Sequence, residues 1–316
     1  MTQKTAIILA LFNGDEYRVR MLKAVIGQLR LQRKVPHIVV GILGGMADLP
    51  VDQVVAVSGD SLLFQKDAIW NAAARALPRS IENIIFLDAD TFAIDVDWVS
   101  SVESRLERFD VLQGYSVLFY LTREATDGVL RAPSDSYKHQ DLVDDSQLVF
   151  NNRPAHTASV PVAHPSFGFV GRYGGGVSGA AGGCWVFRRS VFEKIGGFPS
   201  EEIFGGLNDL LLVHRLSLVS KLNRNLFTDS LFDMYREQIP GLRFSFVPRR
   251  HYHLYHKSGA DREYGTRATL ARSLGYDPSE DIEFTESGGI VLTERGSRLR
   301  DALKGITERN LRPDVV

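Results

Sequence analysis

Ile84-Ile85-Phe86-Leu87-Asp88-Ala89-Asp90-Thr91 is the stretch on which the fold turns. Its apolar run is unbroken by any polar residue, as in a strand buried on both faces, and it leads directly into two carboxylates one residue apart. The carboxyl end of a strand is where open α/β sheets place their ligands. Hard oxygen donors in that position suit Mg2+ or Mn2+, which in turn hold a diphosphate. A second pair, Asp95-Val96-Asp97, precedes a helical pattern and is explained by N-capping and first-turn charge.

Outward from this strand, short apolar runs alternate with amphipathic segments over the first 120 residues. Strands are expected at Thr5 to Phe12, His37 to Leu43, Val54 to Val57 and Asn83 to Leu87, and helices at Glu16 to Leu31, Leu63 to Leu77 and Val96 to Phe109. This alternation gives an α/β fold, a mostly parallel Rossmann-like sheet with helices on both faces. The chain has 316 residues, 44% hydrophobic and 24% charged, enough to bury a substantial core and unlike a disordered tail. Its 37 basic and 38 acidic side chains leave a formal net charge of -1, so bulk electrostatics selects no partner. Cys184 is the only cysteine, which excludes an intramolecular disulfide and cysteine-only zinc sites and points to a reducing, cytoplasmic setting. No apolar stretch approaches the roughly 20 residues of a membrane span.

From Thr122 to Pro165 periodicity is lost, and residues 171 to 183 carry seven glycines. Both segments are expected to be loops. Gly174-x-Gly176-x-x-Gly179 matches the dinucleotide fingerprint only formally, because it leads into a strand (Cys184 to Phe187) instead of opening a helix. Gly176-Val-Ser178-Gly-Ala180 breaks the nucleophile elbow. The glycine-rich segment is better explained as a lid that orders over a bound substrate and excludes water. A short helix ending at Gly196-Gly197, an apolar helix from Asn208 to Leu222, a strand at Phe244 to Val247 and a helix at Arg295 to Ile306 complete the reading.

Three further constellations carry chemistry. Lys66 and Asn71 lie on the helix before the aspartate strand, where a lysine offsets phosphate charge, though a solvated lysine and an ordinary helical asparagine fit the same pattern. Gly205-Gly206-Leu207-Asn208-Asp209 would project a carboxylate from a helix N-terminus, whose positive dipole end keeps it ionised and able to act as a general base. N-capping by Asn208 and a first-turn charge on Asp209 explain that pattern equally well. Arg249-Arg250-His251-Tyr252-His253-Leu254-Tyr255-His256-Lys257, followed by Arg262, Tyr264 and Arg267, combines imidazoles that suit Mn2+-class metals with cations that neutralise a diphosphate. A basic aromatic segment of this kind also suits single-stranded nucleic acid.

Together these residues resemble a GT-A glycosyltransferase of the family 2 type. Strand 1 ending at Asn13, then Lys66, Asn71 and Phe86-Leu-Asp-Ala-Asp90, looks like its nucleotide-sugar half. Gly182-Gly-Cys-Trp-Val-Phe-Arg-Arg-Ser-Val-Phe-Glu-Lys-Ile-Gly-Gly-Phe198 with Phe204-Gly-Gly-Leu-Asn-Asp209 is similar to the C-terminal acceptor region of galactosyltransferases and polypeptide N-acetylgalactosaminyltransferases. His164-Pro-Ser-Phe-Gly-Phe169, His253-Leu-Tyr-His256, Arg262-x-Tyr264-x-x-Arg267 and Gly275-Tyr-Asp277-Pro with Asp281 further resemble a bacterial and viral subgroup. The likeness covers most of residues 5 to 285.

The resemblance implies a GT-A domain with a nucleotide-sugar half (1–121), an acceptor-binding and catalytic half (122–260), and a C-terminal helical extension (261–316). It implies that Asp88 and Asp90, with His256 or His253, bind Mn2+ or Mg2+. Asn13, Lys66, Asn71, Asp88, Asp90, Arg262 and Arg267 would meet the donor, and His164, Gly183, Trp185, Gly206 and Asn208 the acceptor. Asp209 would be the base of an inverting hexosyl transfer. Two departures stand out: Asn208-Asp209 replaces a Glu-Asp pair common in relatives, and the second strand, Val39-Val-Gly-Ile-Leu43, lacks an aspartate often found there. The expected donor is a nucleoside diphosphate sugar, with UDP favoured. The acceptor hydroxyl belongs to a glycan, lipid-linked glycan, protein or hydroxymethylated DNA base. Nucleotidyl transfer on the same sheet, and non-catalytic binding of sugar or nucleic acid, are the rival expectations.

Overall fold

The computed structural model describes residues 3–12, 14–44, 48–131, 137–138, 142, 157–161, 178–205, 207–218, 224–255 and 264–311. In chain order its strands are β1 (Thr5–Leu11), β2 (His37–Leu43), β3 (Gln53–Val57), β4 (Asn83–Leu87), β5 (Thr91–Phe92), β6 (Val111–Gln113), β7 (Val117–Tyr120), β8 (Thr157–Pro161), β9 (Ser178–Ala180), β10 (Cys184–Arg188), β11 (Phe244–Phe246), β12 (Arg250–His253), β13 (Ile282–Phe284) and β14 (Ile290–Leu292). Helices are α1 (Glu16–Arg30), α2 (Lys66–Arg75), α3 (Trp98–Leu106), α4 (Arg123–Arg131), α5 (Arg189–Ile195), α6 (Asn208–Arg215), α7 (Asp229–Tyr235), α8 (Tyr264–Ser273), α9 (Pro278–Asp281) and α10 (Arg300–Leu311).

The fold is mixed α/β. A seven-stranded sheet runs β11-β6-β10-β4-β1-β2-β3. Only β10 is antiparallel to its neighbours. Alternation along β1 shows why both faces must be covered: Ile7, Leu9 and Leu11 enter one core with Leu22, Val25 and Trp98, while Ala6, Ile8 and Ala10 enter the other with Ile69, Phe86 and Phe198. α2 lies so close to β2 that a Cβ at Gly41 would come within 2.3 Å of Ile69 Cγ2, which explains a glycine inside that apolar strand.

A five-stranded sheet, β5-β12-β7-β8-β9, begins where β4 ends. The chain leaves the first sheet at Leu87 and enters the second at Thr91, so Asp88 and Asp90 occupy the switch between them.

The C-terminal extension packs on the same end of the molecule. Ile282, Ile290, Leu299, Leu303 and Ile306 share a core with Leu63, Ala68, Ile203 and Phe204. Gln65, the residue before α2, accepts from Ile290 N (2.6 Å) and donates to Ile290 O (3.0 Å), so the β13–β14 hairpin sets the start of α2. Asp281 is fully buried and accepts from Asp277 N (2.8 Å) and Arg298 Nη2 (2.9 Å). Removing the guanidinium leaves a buried carboxylate with the Asp277 N–H and, at 3.6 Å, Arg295 Nε in place of its closest cation. Arg298→Ala is therefore expected to lower unfolding free energy by about 3 kcal/mol, measured as a lower urea midpoint at unchanged m.

Several elements differ from the sequence reading. The apolar helix expected to reach Leu222 stops at Arg215, because Ser217 turns left-handed (φ 60°). Ser217 N donates to His214 O and Leu218 N to Val213 O, a Schellman stop without glycine. The segment expected to be loop after Thr122 opens with α4, where Thr122 Oγ1 accepts from Ala125 N at 3.2 Å; Thr126 and Gly128 hide the helical period. Residues 178–180 of the expected lid pair with β8 as β9, and residues 171–177 lie outside the described residues. The final helix begins at Arg300 after a tighter turn over Arg295–Leu299.

Candidate active site

Asp88 leaves β4 pinned by the antiparallel β10. Its backbone N–H donates to Gly183 O (3.0 Å), and Gly183 N donates to Asp88 Oδ2 (3.1 Å). Gly183 adopts φ +91°, which lets the chain fold back on the carboxylate. Lys66, the first residue of α2, donates to Asp88 Oδ1 (3.1 Å), lies 3.6 Å from Asp209 Oδ2, and sits 4.5 Å above the Trp70 ring. Asp209 reaches this point from the first turn of α6 and packs against Gly182, where a Cβ would meet its Oδ2 at 2.7 Å. Lys66, Asp88 and Asp209 thus form one network, with side chains 14%, 21% and 20% exposed.

Burial alone would lower the pKa of the Lys66 ammonium, but Asp209, Asp88 and Asp67 outweigh it and hold the group well above its ordinary value. Burial pushes the Asp209 carboxyl above the usual carboxylate range; Lys66 opposes this and Asp88 adds to it. The direction is opposite to that expected from a helix N-terminus, because desolvation exceeds the dipole here. Asp209 Oδ1 has no hydrogen-bond partner.

Asp90 faces a different partner. β12 pairs antiparallel with β5, placing His253 opposite Thr91, and Leu254 N donates to Asp90 O at 2.7 Å. His253 Nε2 is then 3.5 Å from Asp90 Oδ1, while its Nδ1 lies 2.8 Å from Leu254 O. Donation from Nδ1–H to that carbonyl turns the Nε2 edge toward Asp90, the edge a metal-ligating imidazole presents. One carboxylate and one imidazole are donors of the kind that Mn2+-class metals take. Among the described residues no group of three or more His, Cys, Asp or Glu side chains is arranged around a metal position.

The loop before α6 is held from within. Glu202 is buried and its carboxylate accepts from the backbone N–H groups of Phe204 (3.0 Å), Gly205 (3.1 Å) and Leu207 (3.4 Å). Asn208 donates to Pro199 O (2.8 Å) and Glu202 O (3.2 Å), so its amide fastens the loop. Arg267 Nη1 donates to Gly205 O (3.2 Å) and Phe204 O (3.5 Å). Asn71 grips the Phe198 backbone at both ends, donating to its carbonyl (3.0 Å) and accepting from its N–H (2.9 Å). Trp185 is buried and gives its indole N–H to Ala181 O (2.9 Å).

The structure therefore joins Lys66, Asp88, Gly183 and Asp209 in one network, pairs Asp90, two residues on from Asp88, with His253, and sets Asn71, Trp185, Asn208 and Arg267 into the framework of the neighbouring loops. Asn13, His164, Gly206, His256 and Arg262 lie outside the described residues. His251 is a core histidine, fully buried against Trp98 and Tyr115 and pushed down to about 3 by burial, hence neutral.

Glu202 and Asp67 have no signal in the sequence reading, since an acidic pair and a first-turn aspartate look like surface charge. Asp67 is buried with neither oxygen hydrogen-bonded. Burial raises its carboxyl well above the ordinary 3.8; Lys66 opposes this, and Asp209, Asp88 and Glu202 reinforce it. With the folded-state pKa raised, the native state binds more protons than the unfolded one, and stability falls as pH rises from the ordinary carboxylate pKa through the folded value. Asp67→Asn is expected to flatten this fall and to raise the melting temperature at about pH 8 more than at about pH 5, measured by thermal unfolding across pH.

No protein-family model matches the sequence, and no curated protein matches it. Among solved structures, the chain is similar to glucosyl-3-phosphoglycerate synthase from Mycobacterium tuberculosis in complex with Mn2+, UDP and phosphoglyceric acid, at 13% identity over 89% of this chain and 81% of that one, with TM-score 0.43. It is also similar to a Drosophila beta1,4galactosyltransferase 7 mutant in complex with manganese, UDP-Gal and xylobiose (12% identity, 92% of each chain, TM-score 0.41). For the catalytic domain of the same Drosophila enzyme with xylobiose the values are 11%, 92% and 93%, and 0.37. No helix among the described residues is long and apolar enough to cross a membrane.

Proposed function

We propose that this chain is a metal-dependent GT-A-type glycosyltransferase that moves a hexosyl group from a nucleoside diphosphate sugar, UDP favoured, to an acceptor hydroxyl with inversion. The observation that carries the reading is convergence: α2, the β4–β5 junction, α6 and β12 each deliver one part of the site to the carboxyl end of β4. In this reading residues 1–121 hold the donor, 122–260 the acceptor, and 261–316 brace both. Asp90 and His253 would hold the cation, and Mn2+ or Mg2+ bound there would supply positive charge to offset that developing on the diphosphate. Asp88, expected as a second carboxylate ligand of the cation, accepts from Lys66 through one oxygen and from Gly183 N–H through the other, and in this reading it orients Lys66 and the start of β10. Lys66 keeps positive charge beside Asp209, favouring its ionised form. Asp209 takes the proton from the acceptor hydroxyl as the bond to the anomeric carbon forms and the diphosphate departs. Its raised pKa makes it a stronger base than an exposed aspartate.

A screen of nucleotide sugars for Mn2+-dependent hydrolysis tests the reading. Release of nucleoside diphosphate from one donor is the expected result, and pyrophosphate release from a nucleoside triphosphate with a sugar phosphate would replace it with nucleotidyl transfer. The acceptor class is a glycan, lipid-linked glycan, protein or hydroxymethylated DNA base; a steep fall in activity with salt on a DNA acceptor selects the last. The single thiol, Cys184, is buried and requires no oxidising compartment, in keeping with a cytoplasmic enzyme.

A further inference from the structure

The backbone around Phe204-Gly205 is gripped from two sides. Glu202 takes the N–H groups of Phe204, Gly205 and Leu207, while Arg267 gives hydrogen bonds to the carbonyls of Phe204 and Gly205. Both side chains are buried, at 4% and 7% exposure. Gly205 adopts φ +94°, and a Cβ there would come within 2.8 Å of Arg267 Nη1, so the guanidinium fits only against bare backbone. Three residues beyond this clasp α6 begins, with Asp209 in its first turn. Arg267 is itself anchored: its neighbour Ala268 shares a core with Leu207 and Leu211, and Ala271, one helical turn on, shares one with Ile203 and Phe204.

We propose that Arg267 is a positioning residue: from the C-terminal extension it sets the backbone at Phe204 and Gly205, and through it the placement of Asp209, instead of contacting the donor diphosphate itself. The proposal rests on the reading of Asp209 as catalytic base. A guanidinium at 7% exposure whose Nη1 is committed to two carbonyls is poorly disposed to meet an incoming phosphate, whereas carbonyl groups beside a buried glycine need such a donor. A misplacement of a catalytic group by about 1 Å costs about 100-fold in rate, so the clasp acts on turnover more than on binding.

The test compares wild type with Arg267→Met, Arg267→Lys and Glu202→Gln. Amide exchange in peptides spanning residues 199–213 is expected to quicken about tenfold or more in Arg267→Met and Glu202→Gln and less in Arg267→Lys, with β1 and β4 unchanged. kcat for donor hydrolysis should fall about 10- to 100-fold with KM within about twofold, and affinity for UDP with Mn2+ should hold within about twofold. Unchanged exchange in Arg267→Met overturns the proposal, as does a tenfold loss of UDP–Mn2+ affinity with exchange unaltered. If Arg267→Met does not fold, Arg267→Lys decides: faster exchange in 199–213 supports the clasp and wild-type exchange overturns it. A loosened loop in a protein that binds and hydrolyses no nucleotide sugar upholds the clasp and overturns the glycosyltransferase reading.

Discussion

Asp209→Asn is expected to lower kcat by about 100- to 10,000-fold while leaving KM for the donor nearly unchanged, the range that a positioned general base contributes. The amide keeps the size of the side chain and its packing against Gly182 but cannot accept a proton. Geometry favours a near-native fold: Asp209 is 20% exposed and ends at the Lys66 network, and no backbone group among the described residues hydrogen-bonds to its carboxylate. Melting temperature should therefore stay close to wild type. The pH profile gives a second readout. Burial lifts the Asp209 carboxyl above the ordinary range, so the acid limb of kcat in wild type lies higher than for an exposed aspartate, with activity rising as pH climbs through it. In Asp209→Asn that limb disappears. Wild-type kcat in Asp209→Asn would remove it from the chemistry.

Lys66 couples to the same limb. Its ammonium opposes the rise in Asp209 pKa, and Lys66→Met removes that opposition. The limb is then expected to move to still higher pH, which pH-rate measurements on the variant would show. Stability should fall as well, because Asp88 and Asp209 are left facing each other without a cation.

Much of this arrangement is legible in the sequence, and the reasons are local. A continuous apolar run ending in two carboxylates marks β4 and its ligand edge without reference to the rest of the chain. Gly205-Gly206-Leu207-Asn208-Asp209 marks a helix start for the same reason. The choice among His251, His253 and His256 is another matter. His251 and His253 share one face of β12, yet His251 lies over Trp98 and Tyr115 while His253 reaches Asp90, because β5 is two residues long and pairs with the far end of β12. Pairing register across more than 150 residues is set by tertiary packing, not by spacing. Asp67 and Glu202 escape detection similarly: each is polar at a position where polarity suggests solvent, yet each is buried and feels charges distant in sequence, Glu202 that of Arg267 and Asp67 those of Asp209 and Glu202. Asn208 was legible as an N-terminal residue, but its amide turns back to Pro199 and Glu202.

The two aspartates of Asp88-Ala89-Asp90 should not behave alike. Asp90→Ala is expected to weaken Mn2+ binding in the presence of UDP by about 100-fold, and His253→Ala by about 10- to 100-fold, read by electron paramagnetic resonance of free Mn2+. Both should abolish most metal-stimulated turnover. Asp88→Ala removes an acceptor from Lys66 and from Gly183 N–H, so its first effect is on the Lys66–Asp209 network and the start of β10. It should lower the melting temperature, whereas Asp90 carries its site contact to His253 at a partly exposed edge and should lower it less. In Asp90→Ala the His253 imidazole stays oriented by its contact with Leu254 O, so residual weak binding is expected instead of none. Raising Mn2+ concentration should then recover part of the rate in Asp90→Ala and none in Asp209→Asn, because one defect is in affinity and the other in proton transfer. Should the combined Asp88→Ala and Asp90→Ala variant keep wild-type turnover, the carboxyl end of β4 is not where the reaction occurs.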